Sequence, residues 1–311
     1  MPHSTPSPTT PLLGVDFTSA PTRRKPITVA RGQRRGQVLL LEDLLAFDTL
    51  AGFGDFLARP GRWIGGFDFP FGLPRELVLA LGWPQDWPAL IAHYTSLDRA
   101  TIRATFAAFC AARPAGAKFA HRACDAPAGS SPSMKWVNPP VAFMLHAGVP
   151  LLLAAGADLP GHNWRPRADE IRRPPPEGSK SARGGPAPTC AGDPGRVALE
   201  AYPGLLAREL IGRRSYKSDD KAKQSDERLI ARKDLIEALE QGRSRRLGLR
   251  LKLSHAQRDG LAADASGDRL DAVLCLMQAA WAEQQPAHGL PPHADPLEGW
   301  IVSAEHLAPP P

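Results

Sequence analysis

Four short apolar runs crowd the first seventy residues, and their spacing constrains the fold more than any other feature of the chain. Leu12 to Phe17, Pro26 to Arg31 and Gln37 to Leu41 follow one another too closely for helices to intervene. They predict an antiparallel meander. The segment Gly32-Gln33-Arg34-Arg35-Gly36 separates the second from the third as a glycine-flanked turn. Residues 42–58 read as a helix with Leu44, Leu45, Phe47, Leu50 and Phe53 on one face. Arg62 to Phe67 supplies a fourth strand. Meander, helix and strand together give a mixed sheet in which the first and fourth strands lie side by side and parallel. Asp16 and Asp68 then leave the sheet at the same carboxyl edge, where open α/β sheets place their ligands.

The remaining pattern extends this sheet and covers it. Residues 75–160 are apolar and read as a largely helical insertion, with helices over 87–112 and near 139–148 and a short strand at Leu151-Leu152-Leu153. Residues 160–195 carry many Pro, Gly and Arg without periodicity and read as a long, mobile surface loop. Val197 to Ala201 is the fifth strand, followed by a short helix over 203–211. Ser225 caps a helix running to Glu240, with Gly242 beyond its end. Residues 268–283 form another helix, with Leu270, Val273, Leu274, Met277 and Trp281 as its buried stripe. Gly299 to Val302 reads as a last edge strand. The expectation is α/β: one domain over 11–303 with a five-stranded mixed sheet flanked by helices, and tails at 1–10 and 304–311.

Composition limits the function classes. The chain has 311 residues, 43% hydrophobic, enough for a sizeable core. The net charge of +6 is compatible with a polyanionic partner without demanding one. The four cysteines share no CxxC spacing, which argues against a zinc site or a disulfide framework. No apolar run reaches the roughly 18 residues needed to span a bilayer. MPHSTPSPTT lacks the charged start and apolar core of a signal peptide, so the reading is of a cytoplasmic protein without membrane segments.

Five carboxylates stand where elements end or begin: Asp16 in LLGVDFTSAP, Asp68 in WIGGFDFPFGLP, Glu200 in VALEAYPG, and Asp268 and Asp271 in GDRLDAVLCL. Taken alone, Asp16 and Asp68 can cap turns or helices. Glu200 sits in a buried strand, where an unpaired charge is costly, and so requires an Arg or a metal as partner. Asp268 and Asp271 are one helical turn apart in a first turn, where the helix dipole also favours them. Converging carboxylates repel unless a cation neutralises them. An all-oxygen set selects Mg2+ or Mn2+ over zinc. Two such ions about 4 Å apart suit phosphodiester hydrolysis without a cysteine or histidine nucleophile. Lys217 can neutralise a phosphate, pair with Glu200 or lie exposed.

GVDFTSAP, GFDFPFGLP, LEAYPG with Tyr216-Lys217 downstream, GDRLDAVLCL and a terminal EGWIV run, in that order, resemble the DUF429 family of predicted nucleases. The resemblance implies a ribonuclease H-like fold, nucleic acid as substrate and divalent-metal catalysis. The order Asp16, Asp68, then Asp268 with Asp271, is also similar to the acidic tetrad of Holliday-junction resolvases of that fold. It implies that Asp16 is the acid shared by the metals, and that Glu200 and Lys217 fall on the E-x-Y-P and Y-K signatures. Basic clusters at 23–25, 172–173, 213–223 and 243–252 can track a phosphate backbone or form solvated surface. Two other readings are an ATP-dependent phosphotransferase of the actin and sugar-kinase type and a non-catalytic binding protein.

Overall fold

The computed structural model describes residues 10–114, 116–166 and 195–305. Nearly all of the N-terminal stretch, most of 160–195 with Arg172 and Arg173, and residues 306–311 lie outside the described residues.

The meander forms as β1 (Leu12–Asp16), β2 (Ile27–Arg35) and β3 (Val38–Phe47). β1 pairs antiparallel with β2 and parallel with β4 (Trp63–Asp68), and Asp16 stands directly opposite Asp68. The hairpin is longer than its apolar runs suggest. β2 continues to Arg35, and the turn narrows to Gly36-Gln37, with Gly36 at φ 60°. Gly32 lies inside β2, beside the register shift at Arg31/Gly32, rather than in a turn. The helix expected over 42–58 is correspondingly split. Residues through Phe47 stay in β3, where Leu44, Leu45 and Phe47 pair with Ala30, Val29 and Ile27, and only α1 (Leu50–Leu57) is helical. The apolar start of β2 needs a ladder partner, and that tertiary demand overrides the helical spacing.

Helices α2 (Arg75–Ala80), α3 (Trp87–Ser96), α4 (Arg99–Ala111), α5 (Asp125–Ala128) and α6 (Val141–Ala154) follow β4. Leu151 to Leu153 belong to α6 and not to a strand. The segment expected to be loop from residue 160 begins with a helical turn at Pro160–His162, and His162 is buried against Trp87. β5 (Arg196–Glu200) then pairs parallel with β4. After it come α7 (Pro203–Ile211), α8 (Asp226–Glu240), β6 (Arg250–Lys252), α9 (His255–Ala263) and α10 (Asp268–Gln284).

The sheet has six strands rather than five, in the order β5-β4-β1-β2-β3-β6. The added strand, β6, pairs parallel with the edge of β3. Only Leu251 of its three residues is buried, so no apolar run announces it. Gly299 to Val302 forms no strand, although the Val302 amide donates to the Glu200 carbonyl at 2.9 Å. Alternation along β1 sorts two cores. Leu13 and Val15 face a core shared with α1, α3, α4 and α6, and Leu12 faces one shared with α7–α10. Among the described residues, no helix is long and apolar enough to cross a membrane.

Candidate metal centre

Two glycines bring three of the acids together. Gly14 and Gly66 stand opposite each other, two residues before Asp16 and Asp68. Residues two apart share a strand face, so each glycine reports what its aspartate faces. A Cβ on Gly14 would lie 2.1 Å from Ala272 O and Leu276 N, and one on Gly66 would lie 2.6 Å from Cys275 O. The backbone of α10 therefore rests directly on β1 and β4, an approach that only glycine permits. Its first turn then meets the two strand ends. One side-chain oxygen each from Asp16, Asp68 and Asp271 lie within 4.8 Å of one another. The matching Gly-x-Asp-Phe segments in β1 and β4 are the sequence trace of this docking.

Asp271 is fully buried and held on both oxygens. The Tyr216 hydroxyl donates to Oδ1 and the Lys217 ammonium to Oδ2. Arg232 of α8, itself buried, fixes this segment by donating to the Tyr216 carbonyl and the Ala262 carbonyl, both at 2.8 Å. Gly267 caps α10 at φ 79°, and a Cβ there would lie 2.6 Å from the Lys217 Cβ. Nothing in the spacing of Arg232 or Gly267 marks these roles in the sequence, because their partners come from other elements.

The electrostatics of the cluster follow from its makeup. Among the described residues, no donor reaches the carboxylate oxygens of Asp16, Asp68 or Asp268, and Lys217 is the cation bonded to the triad. Burial, then repulsion from Asp271, Asp268 and Asp68, holds the Asp16 carboxyl well above its ordinary value. Burial and Asp271 push Asp68 up to about 7. Burial also raises Asp268, with Lys25 opposing. Burial alone would lower Lys217, but Asp271, Tyr216, Asp16 and Asp68 together hold it well above its usual range. The cluster favours bound protons or a bound cation.

Asp268 and Glu200 stand apart from the triad. Asp268, the first residue of α10, lines the same cavity as Asp16 and Asp68. Glu200, at the end of β5, pairs with Phe67 of β4, whose side chain belongs to the insertion-side core, so its carboxylate leaves on the other face, although it still lines the same cavity. There it takes the Arg partner left open by the sequence. Arg122 holds it with two bonds, at 2.6 and 2.7 Å, and the Phe71 amide donates at 3.1 Å. Arg122 also grips Asp125 and the Glu298 carbonyl. Desolvation still raises the Glu200 carboxyl, with Arg122 opposing.

The cavity beside the acids holds about 490 Å³. Loop residues Ser19, Lys25 and Asp219 close one side, with Lys25 donating to Asp219, and the start of α6 closes another. Comparison with protein-family models, curated proteins and solved structures finds no match for this chain.

Proposed function

We propose that the protein is a divalent-metal-dependent nuclease that hydrolyses nucleic-acid phosphodiester bonds, built on a ribonuclease H-like variant of its six-stranded sheet. The observation that carries this reading is the convergence of Asp16, Asp68 and Asp271 within 4.8 Å at the carboxyl edge of two parallel strands. The strand order β5-β4-β1-β2-β3, with only β2 reversed, supports the fold assignment. The motif resemblance to the DUF429 family points the same way.

The donor set fits Mg2+ or Mn2+. It is all oxygen, it carries excess negative charge, and among the described residues its bonded partners, the Lys217 ammonium and the Tyr216 hydroxyl, both fall on Asp271. Asp16, Asp68 and Asp271 would hold one ion, and Asp16 with Asp268, which line the same cavity, a second. Such ions supply activation of water and charge stabilisation on a phosphodiester. The chain's own residues do the rest. Tyr216 and Arg232 keep Asp271 in place. Lys217, with its side chain 42% exposed, can turn toward a phosphate oxygen. The Phe17 and Phe69 rings, 4.6 Å apart behind the two strand-end acids, keep that side of the site dry.

The test pairs binding with cleavage. Millimolar Mn2+ or Mg2+ should raise thermal stability, and Asp16→Asn should abolish the rise. With Mn2+, labelled single-stranded, duplex, hybrid and branched substrates should include at least one that is cut. Asp16→Asn and Asp68→Asn should slow that cut at least 100-fold. A metal shift that survives Asp16→Asn, or cleavage that survives Asp68→Asn, overturns the reading.

A further inference from the structure

We propose that the cavity beside the triad is a pocket for one unpaired nucleobase, so that the preferred substrate presents a single-stranded or terminal nucleotide. This rests on the nuclease reading above and names its substrate class. The volume, about 490 Å³, lies within the range of pockets that enclose a small molecule. The cavity is chemically divided. Asp16, Asp68 and Asp268 supply the acids, beside Asp219 and Glu200, which are paired with Lys25 and Arg122, whereas Pro139, Pro140, Val141, Met144, Tyr202 and Ile301 supply apolar and aromatic surface. Val141 and Met144 are one turn apart on α6 and both half-buried, while Ala142, Phe143 and Leu145 between and beyond them are fully packed. The helix thus turns one small apolar face toward the cavity. Such a surface accepts the flat face of any base, while the acids take the adjoining phosphate through a divalent ion.

The cations argue against a longer backbone track inside the cavity. Three line it, and each is engaged: Lys25 with Asp219, Arg122 with Glu200 and Asp125, and Lys217 with Asp271. A groove that follows successive phosphates needs free basic side chains along its length. This one has the surface for a base and the acids for one phosphoryl group. A base stacked and paired in a duplex presents neither face to a pocket of this size.

The experiment measures binding rather than turnover. The full chain saturated with Mn2+ is titrated by calorimetry with thymidine 5′-monophosphate and with 2-deoxyribose 5-phosphate, which lacks the base. The nucleotide should bind about tenfold tighter, the scale of one base-aromatic contact. Met144→Trp and Val141→Phe, two separate occlusions, should each bring the two ligands to within about twofold. Neither should alter binding of Mn2+ or of deoxyribose phosphate by more than about twofold. A single-stranded oligonucleotide should also displace the nucleotide at least tenfold better than a relaxed closed-circular duplex at equal nucleotide concentration, which has neither ends nor unpaired bases. Parity of the two ligands on the wild-type chain, or no effect of either substitution, or equal displacement by the closed duplex, overturns the pocket and leaves the metal centre standing. Failure of Mn2+ itself to bind overturns the nuclease reading and the pocket with it.

Discussion

Around Arg122, the carboxylates of Glu200 and Asp125 share one guanidinium, and the Phe71 amide and the Ser130 hydroxyl supply further donors. Around Asp16, three carboxylates share one lysine, and two of them receive no donor from the described residues. Both groups are buried and lie at the same edge of one sheet. The first is closed in its bonding: although Arg122 and Glu200 also line the cavity, one guanidinium and neutral donors from the chain engage both of its carboxylates. The second is open to a cavity and under-neutralised. A buried charge that finds its partners within the chain holds structure together, whereas one left short of positive charge at a cavity wall marks where a cation or substrate belongs.

The strongest way to break this contrast is to open the closed group. Arg122→Met leaves two buried carboxylates without their guanidinium and should cost about 3–5 kcal/mol, the scale of a broken buried ion pair. Chemical denaturation reads the loss, and Mn2+ should not restore it. A cost below about 1 kcal/mol would show that the network is not structural.

Next comes the docking of α10. Gly14→Ala places a Cβ against backbone atoms of Ala272 and Leu276, which cannot swing aside as a side chain end would. Overpacking of this kind costs about 1–3 kcal/mol. Because Asp271 rides on the displaced helix, the thermal shift given by Mn2+ should shrink as well. Full retention of that shift would separate the helix from the site. Gly36→Ala, also at a glycine but with open space around its Cβ, should leave the shift untouched.

The legibility of the chain divides along the same line. The central strands and the helix bearing Asp268 and Asp271 announce themselves because their apolar runs are local. The six-stranded sheet was readable except for β6, which is too short and charged to carry a pattern, and for the far half of β3, whose helical spacing is overridden by its ladder with β2. At the site, Asp16, Asp68 and Asp271 were legible as acids at element ends. Their convergence was expected from the parallel strands and the helix start, but the docking that produces it was not legible, since it depends on glycines that matter only once α10 is laid across them. Glu200 was recognisable as a buried acid needing a partner. That the partner is Arg122, 78 positions away in a segment without a motif, could not be read from spacing.

Within the open group, Lys217 should behave as a replaceable cation. Lys217→Met strips Asp271 of its ammonium and leaves the Tyr216 hydroxyl as its donor. The lysine is partly exposed, so the loss should fall below that of a fully buried pair, at about 1–2 kcal/mol without metal. Here, unlike at Arg122, Mn2+ should recover most of the stability. Equal losses with and without Mn2+, measured by urea denaturation, would make Lys217 a structural partner and erase the distinction between the two groups.

The smallest effect has the opposite sign and depends on pH. The folded protein holds the Asp68 carboxyl up to about 7, well above its unfolded value. A group raised on folding contributes stability that is present below its unfolded pKa and lost as pH rises through its folded one. Asp16 and Asp268 are raised too, so all three act in the same direction. The metal-free protein should therefore lose stability between about pH 4 and pH 8, and Mn2+ should flatten that slope by neutralising the ionised acids. Asp68→Asn removes one repelling charge while keeping the side chain's size. At pH 8 without metal it should be more stable than wild type by about 1 kcal/mol, a discounted figure because Asp68 opens onto the cavity. At pH 4, near the unfolded value of the carboxyl, the gain should largely vanish. Because the same substitution removes a metal ligand, the variant should also show a reduced Mn2+ shift, so that the two proteins exchange rank when the ion is added. A variant that is less stable than wild type at both pH values would mean that Asp68 already has its partners within the fold, and would place it with Glu200 among the closed charges.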